Sequence, residues 1–209
     1  MKATQVWNTE ESALGYLINL NHHTATYGTI ELLCSLLQKH KGSTINQEID
    51  CVVDLGSGPG ISSSLIASYT NCKKVIAADS SSAMLQLVPK LMGSISNCEV
   101  ITQVKNLEKE RIDLSNDSAD LIISIAVFSY LENLRNVLEE AFRILKPGGY
   151  FAFDIWIHTG SLVPHIDRSG NMLSYSHHKD TLTYFVESMG FKLLYSQKDI
   201  YQLFLFQKM

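Results

Sequence analysis

Cys51-Val52-Val53-Asp54-Leu55-Gly56-Ser57-Gly58-Pro59-Gly60 is the stretch from which the rest of the chain can be read. A short apolar run ends in an acid and then breaks into three glycines within five residues. Next comes Ile61-Ser62-Ser63-Ser64-Leu65-Ile66-Ala67, small residues mixed with apolar ones, which reads as the start of a helix. Strand, tight glycine turn and helix together open an α/β nucleotide-binding unit. Glycine admits φ > 0 and leaves no Cβ where a ligand approaches the backbone. Behind the turn, the free N–H groups of the new helix face that ligand.

Spacing and charge narrow the choice of ligand. A dinucleotide fingerprint, Gly-x-Gly-x-x-Gly counted from Gly56, requires a third glycine where this chain has Ile61; the third glycine is Gly60. Asp54 stands just before the glycines, where a pyrophosphate gains nothing from a negative charge. A ligand with a cationic end, an amino group or a sulfonium, does gain. Asp54, Gly56, Ser57, Gly58, Pro59 and Gly60 are therefore the first cofactor-binding candidates.

At these residues the chain resembles the class I S-adenosylmethionine-dependent methyltransferases, whose first motif reads apolar-apolar-Asp-x-Gly-x-Gly-x-Gly. The resemblance covers roughly 45–209, and a second specific match is Leu145-Lys146-Pro147-Gly148-Gly149. It implies a Rossmann-like, doubly wound, seven-stranded sheet, mostly parallel, with an antiparallel C-terminal hairpin strand. It also implies S-adenosylmethionine as cofactor and S-adenosylhomocysteine (SAH) as product.

Independently of that resemblance, Lys74-Val75-Ile76-Ala77-Ala78-Asp79 is a second apolar run ending in an acid, about 20 residues past the turn. An acid there, at the carboxyl end of the adjacent strand, can accept both ribose hydroxyls; it can also simply cap the helix that begins at Ser80 or Ser81. The resemblance extends through Ser80 to Met84, an apolar side chain expected near the adenine. It places Asn106 and Leu107 where relatives touch the adenine amino group, although the usual acid is absent from that place. Ser118 to Val127 reads as a central parallel strand, making Ile125 a further cofactor candidate. The turn after it, Phe128-Ser129-Tyr130, falls at the sheet edge where ligands sit. Many relatives carry Glu-His there, so Ser129-Tyr130 is a departure.

Outside the core, residues 1–44 read as an N-terminal helical segment, with helices over 10–21 and 29–40 and a polar turn over His22–Gly28. The resemblance makes it part of a lid, with Trp7, Tyr16, Tyr27, His22 and His23 as candidate pocket residues beside Tyr130. A helix is expected over 132–145, stopped by Lys146-Pro147-Gly148-Gly149, then a strand over 150–155. From Trp156 to His178 no regular period is visible; a helix over 181–189 and two terminal strands complete the chain.

Composition limits the partners. At 209 residues, with 45% hydrophobic and 18% charged residues, the chain reads as one globular domain over 1–209. Its net charge of −4, with no basic run longer than Lys73-Lys74, supplies no nucleic-acid footprint. No membrane segment or signal peptide is legible, and four scattered cysteines suit reduced thiols in a cytoplasmic protein. The seven histidines show no metal-ligand spacing, so no metal is expected.

Methyl transfer from a sulfonium is an in-line displacement in which alignment and exclusion of water dominate. A base matters only when the nucleophile starts protonated, and the candidates for it are Tyr130, His158 and His177. A small-molecule methyltransferase is the leading reading. A protein or RNA methyltransferase, a non-catalytic cofactor-binding module and a nicotinamide oxidoreductase follow in that order. The acceptor and the oligomeric state are not legible.

Overall fold

The computed structural model describes residues 7–18, 20–41, 49–93, 98–156, 165–166, 172–175, 177–197 and 201–209; for 20–25, 41, 156, 165–166, 172–174 and 201 it describes the backbone alone. In chain order the elements are α1 (Glu10–Ile18), α2 (Leu20–Lys41), β1 (Cys51–Leu55), α3 (Ile61–Thr70) and β2 (Lys74–Asp79). The short helices α4 (Ser82–Leu85) and α5 (Val88–Met92) follow, then β3 (Glu99–Val104), β4 (Ala119–Ser124) and a 3-10 turn (Phe128–Tyr130). The chain continues with α6 (Arg135–Ile144), β5 (Leu145–Trp156), β6 (His165–Ile166), β7 (Met172–Ser174), α7 (Lys179–Ser188), β8 (Phe191–Ser196) and β9 (Tyr201–Lys208).

Seven strands form one sheet in the order β3-β2-β1-β4-β5-β9-β8. β1 pairs in parallel with β2 and β4, β2 with β3, and β4 with β5. β9 runs antiparallel to both β5 and β8. The strand order reverses between β1 and β4, and at such a point the two connections leave in opposite directions and open a crevice at the carboxyl ends of the strands.

Alternation along the central strands fills two cores, one on each face. Val53, Leu55 and Ile122 face one side with Val137, Leu138 and Ala141 of α6 and Leu182 and Val186 of α7. Val52, Leu121 and Ile123 face the other with Ile30, Leu33 and Leu37 of α2, Ile66 of α3 and Val88 of α5. On the first face Phe153 stacks on Phe128, Phe204 and Phe206 at centroid distances of 4.5, 5.2 and 5.7 Å. This aromatic block seats the 3-10 turn that carries Ser129 and Tyr130.

Four expectations need correction. The segment His22–Gly28 is not a turn: α2 runs through it as a helix of 22 residues. No proline interrupts it, and Gly28 sits where an added Cβ would meet nothing within 4 Å, so the glycine is tolerated without breaking the helix. Lys146-Pro147-Gly148-Gly149 does not end α6 as a cap; it forms a bulge at the start of β5, between the pairs Ala119–Leu145 and Leu121–Tyr150. Lys146 Nζ lies 2.6 Å from Asp120 Oδ1 across that bulge, and Gly148 takes its φ of 78°. β4 stops at Ser124 instead of Val127, because Ala126 turns left-handed at φ 60°. Finally, the connection after β5 contains the small antiparallel pair β6–β7.

Phe153→Ala is expected to lower the unfolding free energy by about 3–5 kcal/mol, since it empties the centre of the aromatic block. Urea denaturation should show a lower midpoint with an unchanged slope.

Candidate cofactor and acceptor site

The glycine turn is fixed from below by β2. Gly56 N–H and Ser57 N–H both donate to Ala78 O, at 2.7 and 3.0 Å. All three glycines have positive φ, 78°, 53° and 96° at Gly56, Gly58 and Gly60. Two of them are also needed for room: a Cβ on Gly56 would come within 2.4 Å of Val127 Cγ2, and one on Gly60 within 3.1 Å of Val88 Cγ1. At Gly58 a Cβ would meet nothing within 4 Å, so that face of the turn is open space. Above it lies a hollow whose described lining is Tyr16, Thr26, Gly56, Ser57, Gly58, Pro59, Ile61, Ser62, Ile125 and Ala126.

Three acids hold this hollow together. Asp54 is fully buried, and its Oδ2 accepts from Ser62 Oγ at 2.7 Å and Ser63 Oγ at 2.6 Å. Its Oδ1 is buried and has no hydrogen-bond partner among the described residues. Burial pushes the Asp54 carboxyl up to about 6, against the pull of the two serine hydroxyls. Asp79 bridges turn and helix: Oδ2 accepts from Gly58 N–H at 2.9 Å and Oδ1 from Ser81 N–H at 2.8 Å. The capping reading holds in that Asp79 reaches the N–H of Ser81, the N-cap residue of α4, while its other oxygen is fastened to the glycine turn. Asp154, on β5, is 5% exposed, and its Oδ1 accepts from Ala126 N–H at 2.6 Å. Burial pushes this carboxyl up to about 7.

Tyr16 brings the N-terminal helices into the site. Its ring packs edge-on against Trp7 at 5.1 Å, and both rest on a small cluster of Ala13, Met84 and Leu87. Burial, followed by the charges of Tyr130, Asp79, Asp154 and Asp54, drives the Tyr16 phenol up to about 12. Its hydroxyl keeps its proton well above neutral pH and can donate a hydrogen bond.

Several sequence-predicted residues do converge here. Gly56, Ser57, Gly58, Pro59, Ile125 and Tyr16 line the hollow, and Gly60 ends the turn. Asp54 and Asp79 clamp the turn to α3 and β2, with Ser80 next to Asp79, and Tyr130 lies close enough to Tyr16 for its charge to be felt there. Others are placed differently. Met84 is buried against α1. Asn106 closes a local turn, its Oδ1 accepting from Glu108 N–H at 3.0 Å, while Leu107 is buried in the core. Tyr27 is 49% exposed on α2, outside the described lining. His177 Nε2 lies 3.0 Å from Phe128 O and 3.1 Å from Leu131 O. Both partners are acceptors, so Nε2 carries the hydrogen and straps the 3-10 turn to the start of α7; burial also lowers this imidazole's pKa. His158 and the side chains of His22 and His23 lie outside the described residues.

Sequence reasoning missed Thr26, Ser62, Ala126 and Asp154. Thr26 was hidden inside a segment that reads as a turn. Asp154 had a signal, a lone acid in the apolar run of Tyr150–Ile155.

Residues 53–153 match a sequence family described as a methyltransferase domain. Over this core the chain is similar to the class I S-adenosylmethionine-dependent methyltransferases. It is 30% identical over 122 residues to a malonyl-[acyl-carrier protein] O-methyltransferase of a Marinomonas species, covering 58% of this chain and 43% of that protein. It is 28% identical over 171 residues to a dimethylglycine N-methyltransferase of Parasynechococcus marenigrum, covering 78% of this chain and 58% of that protein. The chain thus spans less than two thirds of the length of either relative. Among solved structures, the DhpI–SAH complex superposes with a TM-score of 0.67 at 15% identity, over 95% of this chain and 92% of that one. At that identity the likeness is one of fold.

Buried acids also set a pH dependence. Asp54 and Asp154 titrate higher in the folded chain than in the unfolded one, so the folded state holds more protons in this window. Their contribution to stability is complete below the ordinary carboxylate range and is lost as pH rises through about 6 and 7. Without ligand, thermal melts should fall between pH 5 and pH 8. Asp154→Asn should narrow that fall, and an unchanged pH profile in the variant would count against a buried, late-ionising Asp154.

Proposed function

We propose that this chain transfers a methyl group from S-adenosylmethionine to a small-molecule acceptor by in-line displacement. The observation that carries the reading is the convergence of Asp54, Asp79 and Asp154 on Tyr16 around a glycine-floored hollow. Three acids gathered at one place favour a ligand with positive charge, and a sulfonium next to an amino group has it. The residues fit such a cofactor. Gly58 leaves open space against the turn, and Asp54 offers a buried oxygen without a partner.

In this reading Asp79 takes the ribose hydroxyls on the lone pairs left by Gly58 N–H and Ser81 N–H. Gly56 to Gly60 pass beside the amino-acid end, and Ile125 supplies apolar surface, with Ser80, Met84, Asn106 and Leu107 kept as candidates on the adenosine side. When bound, the cofactor supplies a methyl on an already activated leaving group. What is left to the chain is to orient the acceptor and exclude water, tasks for Tyr16 and Tyr130 at the rim with Trp7 and Tyr27 on the N-terminal helices. Tyr130 and His158 remain the candidate bases; His177 has committed one ring nitrogen to the backbone.

An acceptor of metabolite size belongs to the same proposal, and so does a cytoplasmic location. No described helix is long and apolar enough to cross a membrane. Cys34, Cys51, Cys72 and Cys98 are free thiols, which suits a reducing compartment.

Calorimetric titration with S-adenosylmethionine, SAH and NADH tests the cofactor. Both sulfur nucleosides should bind and NADH should not. Asp79→Ala should weaken binding by about tenfold or more, the equivalent of one hydrogen bond to a charged group. Gly58→Ala should weaken it as well, with a loss of stability limited to about 1–2 kcal/mol for a non-glycine residue at positive φ. A folded sample that binds neither sulfur nucleoside would refute the proposal.

A further inference from the structure

The turn that leaves β4 is held from three sides. Ser124 Oγ donates to Leu55 O at 2.8 Å, tying the strand end to β1. Val127 packs into the space left by the missing Cβ of Gly56. Between them Ala126 stands at φ 60°, a conformation that costs an L-residue about 1–2 kcal/mol. Asp154 Oδ1 accepts the Ala126 N–H at 2.6 Å from inside the protein, and Ala126 itself lines the hollow next to Ile125.

A buried acid in the interior of a strand is costly unless something compensates it. Asp154 forms no ion pair among the described residues; its carboxylate accepts from the backbone N–H of Ala126. The side chains that share its surroundings are Tyr16 from α1, with Tyr130 from the 3-10 turn, Asp79 from β2 and Asp54 from β1 facing the same phenol. A charge-assisted hydrogen bond to a single amide offsets the left-handed backbone of a single residue.

We infer that Asp154 is a positioning residue: by gripping the Ala126 N–H it holds the turn after β4 in its left-handed form and so shapes the wall of the cofactor hollow. This rests on the cofactor reading above, but the grip itself can be observed without any ligand.

The test uses the full chain. In wild-type protein the Ala126 amide proton should resonate far downfield and move upfield on acidification through neutral pH, as its acceptor becomes protonated. In Asp154→Asn that movement should vanish. SAH titration then asks what the grip does. Asp154→Ala should bind SAH about tenfold more weakly or worse, whereas Asp154→Asn, which loses the charge but keeps an accepting oxygen, should bind more tightly than Asp154→Ala. Adding Ala126→Gly to Asp154→Ala should recover part of the affinity, because glycine enters the left-handed region without cost.

An Ala126 amide insensitive to pH overturns the inference. So does an Asp154→Ala protein, folded by circular dichroism, that binds SAH like wild type, or a double variant that recovers nothing. Wild-type protein that binds no SAH would sink the cofactor reading alone, and the amide titration would still judge the grip.

Discussion

Everything at the carboxyl edge of this sheet depends on how the chain leaves β1. The strand ends in a carboxylate that is entirely enclosed, and Asp54 joins β1 to α3 by gripping Ser62 Oγ and Ser63 Oγ at 2.7 and 2.6 Å. Between those two points the backbone must reverse within a few residues, and three alternating positive-φ glycines, Gly56, Gly58 and Gly60, make the reversal possible. Asp79 then fastens the middle of the turn to β2, and Val127 closes on Gly56 from the β4 side. The hollow is thus a by-product of a crowded crossing in which each neighbouring strand contributes one clamp.

The acids have a shared logic. In an ordinary core a buried carboxylate seeks a cation, as Glu140 does with Arg143 at 2.6 Å on α6. Asp54, Asp79 and Asp154 instead hold backbone N–H groups and hydroxyls, so their negative charge is only partly offset. Under the proposed function a cationic ligand would offset the remaining charge, so that folding stability and ligand affinity would oppose one another.

Much of this was legible in the sequence because the pattern there is local. The apolar run ending in Asp54, the glycine spacing and the acid at 79 lie within thirty residues, and each maps onto one turn or one strand end. The seven-stranded, mostly parallel sheet and its antiparallel ending also matched expectation. What escaped was set by long-range packing. α2 continues through His22–Gly28 because its far half is anchored by Ile30, Leu33 and Leu37 against the sheet, and a helix so anchored carries weakly patterned residues along with it. The Ala126 conformation depends on an aspartate 28 residues away, which no window of local pattern contains. His177, a candidate base in the sequence, is a backbone strap in the structure, and its two carbonyl partners lie 46 and 49 residues upstream, beyond any local pattern.

The strand order of the last three elements bears on how the chain is made. β8 precedes β9 in sequence, yet it touches the large sheet only through β9, which inserts between β5 and β8. During synthesis β5 therefore emerges with one edge unpaired and stays so until residues 201–208 have left the ribosome. Its Phe151 and Phe153 stay without Phe204 and Phe206 for the same interval. An apolar strand edge exposed in this way invites pairing with other chains. The antiparallel pairing that completes the sheet thus also makes the nascent chain depend on residues 201–208 for protection.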